Sequence, residues 1–143
     1  FGILLYVSDK FKTRQDIKND FNLRSAIIIG FLQILSLVPG VSRSGIAITA
    51  ARFLEFKRVD SAKISFLLSI PILGAVSIFG IKNILYSESF YFSKINLVAI
   101  IFSFSFSLIT IKYFIKFIKK FSLNIFSFYR IVLGLFLLCI TYL

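Results

Sequence analysis

A short polar segment at residues 38–45 carries the side chains in this chain that are best suited to chemistry. It reads Val-Pro-Gly-Val-Ser-Arg-Ser-Gly, with Arg43 between two serines. A guanidinium is a planar donor that matches phosphate oxygens. Ser42 and Ser44 are good N-cap residues for a following helix, and the free N–H groups of a helix N-terminus also favour phosphate. The segment therefore predicts a phosphate or diphosphate site with Arg43 at its centre.

Two glycines frame this segment, and the role of its serines has alternatives. Gly40 and Gly45 are expected to allow backbone conformations that other residues resist, so the backbone from Gly40 to Gly45 is predicted to be irregular. Ser42 is either a phosphate ligand or a nucleophile, and the ligand role is favoured because no base is nearby in the sequence. In a purely structural interpretation, Ser42 and Ser44 only cap a helix and Arg43 pairs with a distant carboxylate.

The apolar stretches on either side of the segment are too short to cross a membrane. Residues 25–38 carry no charge over 14 residues, which as a helix rise about 21 Å, against a hydrocarbon core roughly 30 Å thick. Arg24 precedes this stretch and Arg52 follows the return stretch, so both ends are predicted to be cytoplasmic. Residues 23–54 are thus predicted to form a re-entrant helical hairpin. A buried arginine at its tip costs about 2.5–3.5 kcal/mol, which a bound anion would offset.

The composition is that of an integral membrane protein. Hydrophobic residues make up 58% of the 143 residues, and the mean hydropathy is +0.93. The predicted fold class is all-α integral membrane, as a single domain over residues 1–143 with the re-entrant hairpin and three spanning helices. The predicted helices are the end of a preceding helix at 1–8 and spanning helices at 62–82, 95–118 and 121–143.

One stretch inside the second spanning segment is ambiguous. The alternation of Phe and Ser at 102–107 is typical of a strand, but the length of the apolar run favours a helix whose serines bond to the preceding turn.

The net charge of +11 would suit nucleic acid, but its placement favours a membrane. The lysines and arginines lie in short connections between apolar runs, which is the pattern of cytoplasmic loops, so no nucleic-acid partner is expected. The loop at 83–93 has low net charge and is predicted to be extracytoplasmic. Arg130 lies within the last apolar run and is assigned to structural pairing and packing.

Metal ligands and acid–base groups are scarce in this sequence. There is no histidine, which is the commonest general base and metal ligand. The acidic residues all fall in predicted loops or interfacial ends. No metal site is predicted from this chain.

Several motifs resemble the undecaprenyl-diphosphatase family, also called bacitracin-resistance proteins. The central motif is Pro-Gly-Val-Ser-Arg-Ser-Gly at 39–45, preceded by Ile-Gly-Phe-Leu-Gln at 29–33. Further matches are Ser-Ala-Lys-Ile-Ser-Phe-Leu-Leu-Ser-Ile-Pro at 61–71 and Tyr-Arg-Ile-Val-Leu-Gly at 129–134. The resemblance covers nearly the whole chain.

The resemblance also implies a set of site residues. It makes Arg43 and Ser42 the catalytic candidates and implies that Gly40, Ser44, Gly45 and Gln33 bind substrate. The family usually has threonine two residues after the second glycine, where this chain has Ala47. Thr49 is the substitute hydroxyl, although it would need a shifted register.

The resemblance implies an enzyme of the bacterial inner membrane. Such an enzyme removes the terminal phosphate from undecaprenyl diphosphate and so recycles the lipid carrier for cell-wall synthesis. The implied fold is two inverted repeats, each with a re-entrant hairpin. The glutamate-rich motif and Ser-Ser-Gly-His loop of the first repeat are not in this sequence, so the chain looks like the C-terminal half. A divalent cation, Mg²⁺ or Ca²⁺, would be held by the other half, and this chain alone is expected to be inactive.

Two other functions are compatible with the same sequence. A polyprenyl-phosphate transporter or flippase would use the same anion site, since inverted repeats with broken helices are typical of transporters. A non-catalytic half-length membrane protein is a third alternative. A homodimer is a further alternative for the assembly of this protein.

Overall fold

The computed structural model describes residues 2–86 and 94–142, which are almost entirely helical. This confirms the all-α prediction for the described part of the chain. The elements are α1 (Gly2–Asp9), α2 (Ile17–Asp20), α3 (Leu23–Leu32), a 3-10 segment (Gln33–Leu37), α4 (Arg43–Phe53), α5 (Arg58–Tyr86), α6 (Lys94–Lys120) and α7 (Asn124–Tyr142).

Helices α5, α6 and α7 are long and apolar enough to span a membrane, as the composition predicted. Asp60 lies in the first turn of α5, where a carboxylate complements the helix dipole. Helix α7 begins at Asn124 rather than at 121, because the Ser122 hydroxyl accepts a hydrogen bond from the Asn124 N–H at 3.1 Å. Most of the predicted extracytoplasmic loop, at 87–93, lies outside the described residues.

The ambiguous Phe-Ser stretch is part of helix α6. The Ser105 hydroxyl donates to the carbonyl of Ile101, one turn earlier, at 2.8 Å. This is the back-bonding expected of a serine in an apolar helix.

Helix α4 is the best-buried element of the chain. It packs against α1, α3 and α5, and every residue from Gly45 to Arg52 is buried. Ala47, Ala50 and Ala51 share one apolar cluster with Ile29 of α3, so small side chains let the two helices approach closely. Helices α3 and α4 are therefore packed partners joined by the polar segment, while their re-entry into a membrane stays a prediction.

A buried carboxylate joins four parts of the chain. The Asp9 side chain is 1% exposed and accepts hydrogen bonds from Nε and Nη2 of Arg58 at 2.7 and 2.9 Å. It also accepts from the Ser122 hydroxyl at 2.9 Å, and Nε of Arg52 lies 3.6 Å away. The end of α1, the end of α4, the start of α5 and the α6–α7 connection thus meet at one ion cluster.

Arg52 is the second inward-facing member of this cluster. Its Nη1 donates to the carbonyl of Phe56 at 2.6 Å, and its Nη2 donates to the carbonyls of Phe11 and Asp9 at 2.8 and 3.1 Å. The sequence placed Arg52 and Asp9 in interfacial ends, and their burial was not predicted. Charge placement predicts the side of the membrane, but it does not report which way a side chain points.

The connection between α1 and α2 is bonded to the connection between α4 and α5. Gln15 and Phe56 form an isolated bridge, and the Lys57 N–H donates to the Gln15 carbonyl at 3.2 Å. Nζ of Lys57 donates to the Asp16 carboxylate at 2.6 Å. This bond holds the pKa of Asp16 below its ordinary value and raises the pKa of Lys57.

We predict that Asp9→Asn strongly destabilises the protein. Asparagine keeps the shape but leaves Arg52 and Arg58 without a compensating charge, and breaking a buried pair costs about 3–5 kcal/mol. Thermal unfolding of the purified protein in detergent measures the loss. Asp16→Asn is the matched control, because it removes the carboxylate of an exposed pair, and such pairs contribute little. Equal shifts in the two variants would contradict a structural role for the buried cluster.

Candidate functional site

The backbone turns sharply between the 3-10 segment and α4. The Val41 N–H donates to the Val38 carbonyl at 3.1 Å, which closes a turn. Gly40 has a φ of 86°, in the left-handed region that favours glycine. The expected conformational role of Gly40 is therefore present.

Ser42 caps the helix that follows. Its hydroxyl accepts a hydrogen bond from the Gly45 N–H at 3.2 Å and shares another, also 3.2 Å, with the Ser44 hydroxyl. This cap starts α4 at Arg43, so the prediction of irregular backbone as far as Gly45 is wrong. The irregular part is 38–42, and Arg43 and Ser44 lie in the first turn of a helix.

Arg43 lies on the exposed surface of this helix end. Within residues 2–86 and 94–142 it has neither an ion pair nor a side-chain hydrogen bond. The structural interpretation, in which Arg43 pairs with a carboxylate, is therefore not seen in the described part of the chain. An arginine without a partner at a helix N-terminus is available to an external anion.

Gly45 is required for space and not for an unusual conformation. It lies inside α4, so the expectation that it adopts a special backbone conformation is wrong. A Cβ atom at this position would lie 3.0 Å from Nη1 of Arg130 and 3.2 Å from Cβ of Ser42. The missing side chain lets the Arg130 guanidinium lie against the capped start of α4.

Arg130 is the functional candidate that the sequence interpretation missed. It is half-buried in α7 and lines a cavity of about 220 Å³ together with Ser42, Ser44 and Gly45. Among the described residues it has no ion pair, so the predicted structural pairing is not seen in this part of the chain. The available signal was its position, since a charged side chain inside an apolar spanning helix is a functional hypothesis by default.

Four of the predicted site residues do not line this cavity: Gln33, Gly40, Arg43 and Thr49. Thr49 is 1% exposed, and its hydroxyl donates to the Gly45 carbonyl at 2.8 Å. Gln33 begins the 3-10 segment, and its backbone N–H caps the end of α3. Ala47 is fully buried in the apolar cluster of α3 and α4.

The chemistry of the cavity is anion binding and charge stabilisation. The Arg130 guanidinium, the two serine hydroxyls and the N-terminus of α4 meet at this cavity, and all of them can donate to phosphate oxygens. Arg43 lies at the same end of α4 but does not line the cavity. The other residues described as lining the cavity are apolar: Leu5, Ile48, Phe114, Leu123 and Phe126. A proton acceptor for hydrolysis is not among these lining residues.

The described residues do not fit a metal ion. Residues 2–86 and 94–142 hold no group of three or more Asp, Glu, Cys or His side chains that could act as ligands. The buried carboxylate of Asp9 is already bonded to Arg58 and Ser122.

Comparisons with known proteins show the family to which this chain is similar. Residues 1–136 match the family described as bacitracin resistance protein BacA. An undecaprenyl-diphosphatase of Pelagibacter ubique is 47% identical over 99% of this chain and 55% of the relative. Those of Campylobacter curvus and Elusimicrobium minutum are 45% and 42% identical, over 98% and 96% of this chain and 53% and 52% of the relatives. The chain spans about half the length of the curated relatives it matches.

We predict that Gly45→Ala weakens anion binding without unfolding the protein. The added methyl group must displace either the Arg130 guanidinium or Ser42 by a few tenths of an ångström. Losing one charge-assisted hydrogen bond to the anion weakens binding by roughly tenfold or more. Calorimetric titration with inorganic diphosphate measures the effect. Gly74→Ala is the control, because no atom lies within 4 Å of a Cβ there. Unchanged affinity in Gly45→Ala would show that the Arg130–Ser42 arrangement does not bind the anion.

Proposed function

We propose that this chain, which belongs to the bacitracin resistance protein BacA family, supplies the phosphate-binding part of an undecaprenyl-diphosphate phosphatase. The observation that carries the proposal is the convergence of Ser42, Ser44 and Arg130 on one cavity at the capped start of α4. The relatives named above are undecaprenyl-diphosphatases, which supports the identity of the substrate.

In the proposed reaction, water attacks the terminal phosphorus of undecaprenyl diphosphate. The bond from that phosphorus to the bridging oxygen breaks. The products are undecaprenyl phosphate and inorganic phosphate. Arg43, Arg130 and the N–H groups of α4 would hold the phosphate oxygens and stabilise the negative charge that develops there. The oxygens are held before the reaction, so the donors need little rearrangement during it.

Ser42 is assigned as a phosphate ligand rather than as the nucleophile. Its hydroxyl already accepts from the Gly45 N–H and bonds to Ser44, and no base is among the residues that line the cavity. The group that activates water would then come from elsewhere in the whole protein. The same holds for a divalent cation, Mg²⁺ or Ca²⁺, which we propose is held by carboxylates outside this chain.

The surroundings of the cavity suit a lipid substrate. Phe114 and Phe126 line the cavity and also line a neighbouring groove of about 640 Å³. The groove is mostly apolar and aromatic, with Lys116 and Lys120 among its lining residues. A diphosphate in the polar cavity and a polyprenyl chain in the adjoining groove would match the two parts of one amphiphilic molecule.

The transporter alternative is not favoured. The matching relatives carry the name of a diphosphatase, although an anion-binding cavity would suit either function. Three apolar helices and the family match support a multi-pass membrane protein. We propose the bacterial inner membrane as its location, where a lipid carrier for cell-wall synthesis would be recycled. A homodimer stays a prediction.

We predict that Arg43→Lys loses most of the activity. Lysine keeps the charge but not the planar fork. A lost charge-assisted hydrogen bond of about 1.5–3 kcal/mol lowers the rate by roughly 10- to 150-fold if it acts in the transition state. Phosphate release from undecaprenyl diphosphate is measured with protein made from the complete reading frame. Arg24→Lys is the control, because Arg24 is an exposed arginine at the start of α3. Near-normal activity in Arg43→Lys, with normal folding, would mean that the phosphate is bound elsewhere.

The same assay tests the transporter alternative. Wild-type protein that moves the lipid without releasing phosphate would support a transporter instead.

We predict that Arg130→Lys also lowers phosphate release by at least about tenfold. The lysine ammonium cannot replace a guanidinium that lies beside Gly45 and Ser42. A role in packing alone would lower the unfolding temperature and leave the rate of the folded enzyme intact. Measuring both quantities on the same preparation separates the two roles, and a normal rate would restore the packing assignment.

A further inference from the structure

A second basic cavity lies at the C-terminal end of α4, opposite the polar segment at residues 38–45. Its volume is about 460 Å³. It is formed where the end of α1, the α4–α5 junction and the end of α6 meet. Its lining residues are Asp9, Phe11, Thr13, Arg52, Lys57, Arg58, Val59, Ile118 and Lys119. None of them lines the cavity formed by Ser42, Ser44 and Arg130, so this second cavity is a separate feature.

The cavity has a strong excess of positive charge. Four of its lining residues are cations and one is an anion. The anion, Asp9, is 1% exposed and its carboxylate is bonded to Arg58 and Ser122, so it offers no free oxygen to a cation from outside. Arg52 and Arg58 pair with Asp9, and Lys57 pairs with Asp16, which leaves Lys119 as the lining cation without an ion pair among the described residues.

Two lysines supply accessible donors at the opening. Lys119 is exposed and has no ion pair within the described residues. Lys57 is 55% exposed and pairs with Asp16 at the surface, so it can bond to a second acceptor. The Thr13 hydroxyl is exposed beside them. Together they form a set of donors that suits a phosphate group.

The position of the cavity selects the source of that phosphate. Arg58 and Lys119 lie at adjacent ends of two helices that are long and apolar enough to span a membrane. Phe11, Val59 and Ile118 add apolar surface to the same cavity. A ligand with a phosphate beside the start of two acyl chains would contact both the basic and the apolar residues of the lining. Basic pockets between helices at a membrane surface bind such headgroups.

We propose that this cavity binds the headgroup of an anionic membrane phospholipid. The phosphodiester lies between Lys57, Lys119 and the exposed edge of Arg58, and the glycerol end faces the apolar lining. The proposal is independent of the phosphatase function, since the two cavities share no residue.

The test is lipid titration of the purified protein in detergent. Labelled protein is titrated with phosphatidylglycerol, with phosphatidylcholine and with inorganic phosphate. The variant Lys57→Gln/Lys119→Gln should bind phosphatidylglycerol about ten- to thirtyfold more weakly, as expected for two lysines near an anionic headgroup. Phosphatidylcholine should bind poorly to both proteins, and millimolar inorganic phosphate should not displace phosphatidylglycerol.

Two control variants separate the site from general effects of charge. Lys12→Gln/Lys112→Gln removes the same charge from exposed lysines that do not line the cavity, and it should keep wild-type affinity. Asp16→Asn breaks the Lys57–Asp16 pair and keeps the cation, so affinity should be unchanged or higher.

Each other outcome contradicts the proposal. Equal losses in the two lysine pairs would mean that binding reflects net charge alone. Weaker binding in Asp16→Asn would mean that the ion pair is needed for folding and not for the lipid. Displacement by inorganic phosphate would assign the cavity to a soluble anion, and absence of phosphatidylglycerol binding to the wild type would leave it as a structural cavity.

Discussion

The buried Asp9 carboxylate is the interaction on which the arrangement of this chain depends. Burying charges is costly unless each is paired and hydrogen-bonded. Asp9 accepts three hydrogen bonds, from Arg58 and Ser122, and the terminal nitrogens of Arg52 donate to three backbone carbonyls. Among the buried side-chain atoms of the cluster that the structure describes, Nε of Arg52 is the one without a hydrogen bond. The cluster therefore holds the last turn of α4 against α1 and α5 with little freedom to shift.

The position of the polar segment at residues 38–45 follows from this ion cluster. Helix α4 has 11 residues, so its N-terminus lies about 16 Å from its C-terminus. Helix α1 packs against both α4 and α7, which brings Arg130 of α7 to the start of α4. Gly45 leaves room for the guanidinium at that point. A buried ion cluster at one end of a short helix thus sets the geometry of an anion site at the other end.

The sequence predicted the parts of this structure that depend on local composition. The uncharged runs located α5, α6 and α7 because about 20 apolar residues are needed to cross a membrane. Ser42 was expected to cap a helix because its hydroxyl acts within three residues. The burial of Asp9 and the position of Arg130 depend on contacts more than 40 residues apart along the chain. No periodicity or motif reports such contacts. Gly45 illustrates the same limit, since the space it leaves is occupied by a residue of α7.

The arginines near the two ends of α4 differ in whether their guanidinium groups have partners within the described residues. Arg52 and Arg58 are bonded to carbonyls and to a carboxylate, so their charge is used within the fold. Arg43 and Arg130 have no such partner among the described residues, although Arg130 is half-buried in an apolar helix. An uncompensated guanidinium in such surroundings destabilises the folded chain unless an anion or another part of the protein completes it. A bound diphosphate would remove that cost, which links the stability of this end of the chain to occupancy of the site.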